Sequence, residues 1–521
     1  MDSLQSNFTR QTRRTGVAHV LHVPRRHSCR RALAGTSAYA TLFRQSPGYN
    51  QPVHQILVLL LATGCLSAAD SVLTRVAAHA QRFGAVSRQI WETPELGFHE
   101  NKSSAVLQQE LRANGFDVDS GIAGMPTAFT AAWGSGAPVI VIMGEFDALP
   151  GLSQKDEPEQ SPVVAGAPGH ACGHNLLGSA AALAAVAIKE EMQARGLKGT
   201  IRYYGTPAEE GGGGKIYMIH AGLFRDVDAV LAWHPADAND VNLHSSLANN
   251  GGRFRFYGVA SHAAAAPERG RSALDGLMIM LTAVEFLREH VPQETRIHYI
   301  ITNGGSAPNI VPAFAEANLI ARNPDAQVLN GIWERIVKCA QAGALASETR
   351  MEFEQGTNYA NILPNDALAE VLGRAMQKAG GYEYTPEERQ FAERLQKTLG
   401  APVRKPGPEK VQVDKSEGSG SASTDAGDVS WVVPMGHFTA ATFVPGVGAH
   451  TWQAAACAGS SIGRKGMVVA ARTLALAGVE LFENPAEVQA ARKAFQERLA
   501  GRHWTTRIPA DGKPPLDYAF K

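Results

Sequence analysis

Residues 137–151 read APVIVIMGEFDALPG: a short apolar run that breaks into a loop carrying two acids, Glu145 and Asp147. Such a run, bounded by Pro138 and Gly144, predicts a buried strand rather than a helix. The same layout recurs downstream. Thr200–Tyr204 opens into GTPAEEGGGG (205–214), and Ala229–Trp233 is followed at once by His234 and Pro235. Between the first two strands, GHACGHN (169–175) leads into an alanine-rich helical stretch, Leu176–Arg195. Buried strands alternating with helices predict an α/β chain with a parallel sheet at its centre.

Open α/β sheets bind ligands at the carboxyl ends of their strands. The loops quoted should therefore converge on one crevice, gathering Asp147, Cys172, His174, Glu209, Glu210 and His234. Each piece has an ordinary structural explanation: a strand-end His satisfies a hydrogen bond, a Cys before a helix is packed, paired glutamates form a solvated edge. Coincidence is harder to sustain when four separate loops each deliver ligand-type residues at strand ends. Thiolate, imidazole and carboxylate together make a donor set for zinc or a similar divalent ion. Neighbouring residues in an extended loop point different ways, so one glutamate can hold metal while the other serves as general base. A metal centre with a carboxylate base is machinery for amide hydrolysis. Glycines 211–214 let the chain turn there without side-chain clash.

Working outward, residues 251–358 carry another rhythm. Arg253–Val259 reads as strand, Ser272–His290 as helix, Arg296–Thr302 and Ala315–Arg322 as strands. A second helix (325–346) and a last strand (Arg350–Gln355) follow, the β-α-β-β-α-β order of a ferredoxin-like unit. The predicted division is a leader at 1–70, catalytic domain at 71–247 and 361–500, an inserted domain at 248–360, and a tail at 501–521. Residues 402–424, rich in Pro, Gly, Ser and Lys, read as a mobile surface loop.

The composition narrows the function. The chain has 521 residues, 44% of them apolar, and equal totals of 49 basic and 49 acidic side chains. With no basic excess to grip a phosphate backbone, no nucleic-acid partner is expected. Five cysteines cannot form a disulfide framework in a chain of this length. Residues 1–50 hold eight arginines, no lysine and one acid, and precede an apolar run at Ile56–Leu66 (ILVLLLATGCL). That run is too short to span a bilayer, so no stable membrane span is expected. It reads as a secretory signal cleaved near Ala68 or Ala69, with translation starting near Val53, and so as export to the periplasm. The alternatives are a disordered basic leader, a transit peptide, or a cytoplasmic protein; Cys65 gives a faint lipoprotein pattern. Gly459–Gly463 fits GxSxG but follows AAACA rather than a strand, so no nucleophile elbow is expected. Gly211–Lys215 fails as a phosphate loop because Ile216 stands where Ser or Thr is needed.

Seven motifs in order give a further reading: IWETPELGFHE (90–100), GEFDALPG, GHACGHNLLG, GTPAEEGGGGK, NGGSAPNIVP (303–312), STDAGDVSWVVP (423–434) and GAHTWQ (448–453). Over about residues 75–500 the chain resembles the di-metal aminoacylase and carboxypeptidase family, the M-twenty peptidases, and within it the aminobenzoyl-glutamate hydrolase branch. The resemblance implies a mixed-sheet α/β catalytic domain with an inserted lid and dimerisation domain. It implies two divalent ions, Zn2+ or Mn2+, held by Cys172, His174, Glu210, His234 and His450. Glu209 would be the general base, and Asp147 would orient a ligating His. His262, in SHAAAAPERG, resembles a lid histidine that reaches a neighbouring subunit's active site. Asn309 and Arg322 resemble residues that hold the substrate's free carboxylate. The implied substrate is an N-acyl amino acid or a dipeptide, taken by a homodimer or by a heterodimer with a related subunit. A non-catalytic subunit of a two-subunit hydrolase is the alternative of another class. Many relatives carry Asp where Asn175 stands, a difference expected to bear on the metal environment.

Overall fold

A strand buried on both faces needs apolar side chains pointing both ways, and β3 (Val139–Gly144) has them. Ile140 and Ile142 enter one core, whereas Val139, Val141 and Met143 enter the core on the opposite face. The structure, a computed structural model, describes residues 68–400, 402–403 and 405–520; the apolar run expected to be a signal and Cys65 lie outside them. β3 sits in an eight-stranded mixed sheet with β1 (Asp117–Ser120), β2 (Phe129–Ser135), β4 (Gly199–Gly205), β5 (Ala229–Ala236), β6 (Asn239–Ser245), β11 (Val411–Ser419) and β12 (Met435–Ala441). The order is β1-β2-β4-β3-β5-β12-β6-β11. β4, β3, β5 and β12 run parallel at its centre, so their carboxyl ends share one edge.

Helix His174–Arg195 packs on this sheet beside helices Ala68–Glu92 and Ser461–Glu483. Its alanines, Ala180 to Ala182 and Ala184 to Ala185, are fully buried and let it lie close against its neighbours. Among the described residues no helix is long and apolar enough to cross a membrane.

A second, four-stranded sheet has the order β10-β7-β9-β8, all antiparallel: β7 (Ala248–Tyr257), β8 (Arg296–Asn303), β9 (Phe314–Asn323) and β10 (Arg350–Tyr359). Helices Ala273–Leu287 and Ala326–Ala346 alternate with these strands in the ferredoxin-like order and cover one face. Their starts are fixed by caps: the Ser272 hydroxyl accepts from Asp275 N–H, and the Asp325 carboxylate from Gln327 and Val328 N–H. Phe254, Phe256, Leu277, Met280, Leu319 and Trp333 fill the core between.

One expectation fails here. Part of the predicted surface loop at 402–424 is strand β11, an edge strand that pairs in parallel with β6. Its side chains are mostly exposed, so its composition is that of a loop; the ladder to β6 supplies what the sequence does not. The GxSxG run is no elbow: Ser460 caps helix Ser461–Glu483, and the Ser461 hydroxyl donates to Glu388. The C-terminal segment runs back over the eight-stranded sheet, where Trp504 Nε1 donates to Asp428 at 2.7 Å and the Tyr518 ring meets Phe98 edge-on.

Candidate active site

The four central strands deliver their following loops to one edge, and tight turns aim the side chains. Between Cys172 and His174 the chain turns at Gly173, φ +77°, which caps helix His174–Arg195. A Cβ there would lie 2.9 Å from Pro235 Cβ, so only glycine lets this turn approach the His234–Pro235 loop. After β4, Ala208 takes φ +58° immediately before Glu209, and Gly212 and Gly213 N–H both bond back to its carbonyl. His450, after β12, has φ +63°, and its backbone N–H donates to Ala171 O at 2.9 Å. Left-handed backbone at two non-glycine residues of one site is the kind of strain that surrounding structure holds for function.

The side chains form two donor groups that share Cys172: Cys172 with His174 and His234, and Cys172 with Glu210 and His450, each within 4.8 Å. Cys172 Sγ lies 3.4 Å from His234 Nε2, and His450 Nε2 lies 3.2 Å from Glu210 Oε2. The far side of each buried ring is already committed. His174 Nδ1 bonds Asp147 Oδ1 at 2.9 Å, and His234 Nδ1 bonds Pro235 O at 2.8 Å. Each imidazole therefore offers Nε2 inward, as metal-binding histidines do. Asp147 also accepts the Glu210 backbone N–H at 3.0 Å, locking the glutamate loop to the histidine. Among the described residues His174 Nε2 and Glu210 Oε1 are buried without a hydrogen-bond partner. Buried donor atoms left without a partner, one in each group, fit bound cations better than an empty core.

Electrostatics follow from burial. Burial lowers the His234 pKa, helped by the His174 charge, and keeps that ring neutral. It pushes the Cys172 thiol well up, reinforced by Glu210, so a thiolate here requires a cation. Glu209 is buried beside the donors, and burial with the charges of Glu145, Glu210 and Asp425 pushes its carboxyl well up. A carboxyl with raised proton affinity suits a group that takes a proton and returns it. For Glu210, burial is outweighed by His450 and His174, which hold its carboxyl below the usual range.

Not every expected residue arrives. Arg322, at the end of β9, is close enough for its charge to act on His450. Among the described residues neither His262 nor Asn309 is hydrogen-bonded or ion-paired to a member of the cluster. They occupy facing exposed loops, where His262 Nδ1 accepts from Ala264 and Ala265 N–H, and Ala263 N–H reaches Asn309 O. Asn175 serves the packing. Its amide nitrogen donates to Ser87 and to Ala458 O, tying three helices together. Four site residues escaped the sequence reading: Glu100, Glu145, Lys215 and Asp425. Glu100 Oε1 accepts the Ala208 N–H at 2.9 Å, and Lys215 is a buried cation between Glu145 and Asp425. The signal in sequence was a lysine and acids inside otherwise apolar or glycine-rich motifs.

Fold and site together define a metallohydrolase with paired metal-donor groups at the strand ends of an α/β sheet. The chain belongs to peptidase family M20/M25/M40, whose model matches residues 141–510. It is 37% identical over 84% of its length to the B subunit of p-aminobenzoyl-glutamate hydrolase of Escherichia coli (strain K12), covering 97% of that protein. It is 32% identical to Xaa-Arg dipeptidase of Mus musculus, over 82% of this chain and 91% of that one. Among solved structures, a dinuclear metal binding peptidase of the M20 family from Bacillus subtilis matches with a TM-score of 0.54 at 18% identity, covering 78% of this chain and 99% of that one.

Proposed function

We propose that this hydrolase cleaves the amide bond of an N-acyl amino acid of the p-aminobenzoyl-glutamate type. One observation carries the reading: two donor groups share Cys172 while the buried Glu209 lies beside them with raised proton affinity. When bound, two divalent ions, Zn2+ or Mn2+, would polarise the scissile carbonyl and acidify water. Cys172, His174, His234, Glu210 and His450 would hold them, with Asp147 fixing His174 and the Glu210 loop. Glu209 removes the proton from the attacking water and returns it to the leaving amine. Arg322, with Asn309, receives the free carboxylate of the amino acid. His262 reaches the site of a neighbouring subunit, with residues 248–360 acting as lid and dimerisation domain. This is supported by the exposure of His262 on its loop. A heterodimer with a related partner is the alternative, supported by the name of the Escherichia coli relative, which makes that protein one subunit of a hydrolase.

A second reading, a dipeptidase, is supported by the 32% identity to Xaa-Arg dipeptidase. It fits export, which the apolar run at Ile56–Leu66 supports. A non-catalytic subunit fits less well, because the donor groups and Glu209 are all in place. The deciding experiment gives the purified chain, with Zn2+ or Mn2+, p-aminobenzoyl-glutamate, hippurate and a set of Xaa-Arg dipeptides. Selective cleavage of the first, lost in Glu209→Ala, is expected. Preference for the dipeptides selects the second reading, and metal-loaded protein that cleaves nothing means that a partner subunit is missing or that the amide is of another kind.

A further inference from the structure

The loop after β3 carries an acid with no part in the hydrolytic scheme. Glu145 is buried and its carboxylate faces two ways. Oε1 accepts from Lys215 Nζ at 2.7 Å. Oε2 lies 3.2 Å from His174 Nε2, and among the described residues neither atom has a hydrogen-bond partner. Lys215 is itself fully buried. Its ammonium also donates to Asp425 Oδ1 at 2.6 Å, and its backbone N–H to Asp425 Oδ2 at 3.0 Å.

An ion triad in a dry interior is a poor way to gain stability. Apolar residues of the same volume do as well or better, whereas loss of one partner is costly. This triad braces one carboxylate at a definite place. His174 has spent Nδ1 on Asp147, so Nε2 is what it offers a cation, and Glu145 Oε2 stands beside that atom. Donor atoms of Glu145, His174 and Glu209 lie within 4.8 Å of one another, a third group adjoining the two that share Cys172.

We propose that Glu145 is a further carboxylate donor of the metal centre and that Lys215, anchored on Asp425, is its positioning residue. The proposal rests on the metallohydrolase reading and deepens it. A carboxylate added to a thiol and imidazole set moves the centre's preference from soft, zinc-like ions toward oxygen-seeking Mn2+. Lys215 supplies the countercharge that keeps this acid in position before any ion arrives.

The test uses the full chain, freed of metal and titrated with Mn2+, Zn2+ and Co2+. Wild type comes first: failure to bind metal or to hydrolyse any amide is a failure of the functional reading, not of this one. Glu145→Gln keeps the shape and the bond from Lys215. It should weaken binding of one of the two ions by roughly 10–100-fold, more for Mn2+ than for Zn2+, and shift the visible spectrum of the Co2+ protein. Unchanged affinities with an unchanged Co2+ spectrum overturn the proposal. If that variant does not fold, Glu145→Asp, which shortens the reach, carries the same test. Lys215→Met alone strands two buried carboxylates, so the charge-balanced pair Lys215→Met with Asp425→Asn is used. Folded by circular dichroism, it should weaken the same ion as Glu145→Gln. Wild-type affinity in that pair would overturn the role of Lys215.

Discussion

Replacing Glu100 by Gln should remove one distinct component of the protein's sensitivity to rising pH, beside those of other buried acids such as Glu209 and Asp428. Glu100 is buried at the start of helix Asn101–Ala113, with Oε1 accepting the Ala208 N–H at 2.9 Å and Oε2 the Thr127 hydroxyl at 2.7 Å. Burial above all, then the Asp147 charge, pushes its carboxyl from 4.5 up to about 8. Below pH 4.5 both folded and unfolded chains hold the proton, and the group has no effect. Between pH 4.5 and 8 the folded chain keeps the proton while the unfolded chain sheds it, so stability falls as pH rises. Each pH unit in that window costs up to about 1.4 kcal/mol, or about 4 kcal/mol between pH 5 and 8. Above 8 both are ionised and the penalty is complete. Glutamine keeps the Ala208 bond, its oxygen taking that N–H, and reverses the second, its amide donating to Thr127 Oγ1. Urea unfolding of both proteins in chelator at pH 5, 6, 7 and 8 measures the effect. The variant's advantage should be small at pH 5 and grow steadily to pH 8. A difference that stays constant across the series would mean that Glu100 is ionised in the folded chain, and the inference from its burial would fail.

Glu209→Ala should lower turnover at least 10²–10⁴-fold with bound metal unchanged; retained activity overturns its role as base. Cys172→Ala and Glu210→Ala should each reduce metal content measured by atomic absorption, and full stoichiometry in both refutes the ligand set. Gly213→Ala puts a side chain at φ +67° and 3.1 Å from Tyr359 Cε1, in the turn behind Glu209. It should cost about 1–2 kcal/mol and lower the thermal midpoint; an unchanged midpoint would show that the turn is not constrained.

Sequence alone placed the sheet, the ferredoxin-like unit and most of the donors, because these depend on local pattern. Apolar runs ending in loops mark parallel strands, and parallel strands must present those loops at one edge. That logic covers Asp147, Cys172, His174, Glu209, Glu210 and His234. His450 had no such mark and was available only through family resemblance. Tertiary structure delivers it, through the pairing of β12 with β5 and the bond from its backbone to Ala171 O. β11 shows the same limit: its stretch has a loop's composition, and the pairing with β6 makes it a strand. Lys215 has no role in the sequence reading, where Gly211–Lys215 fails as a phosphate loop; the fold sets it against Asp425, 210 positions away. Asn175 stands among the metal donors in sequence and instead ties helices together. The division has a physical cause. Residue spacing sets strands, turns and the edge where loops meet, whereas the partner of a buried charge depends on which distant segments close over it.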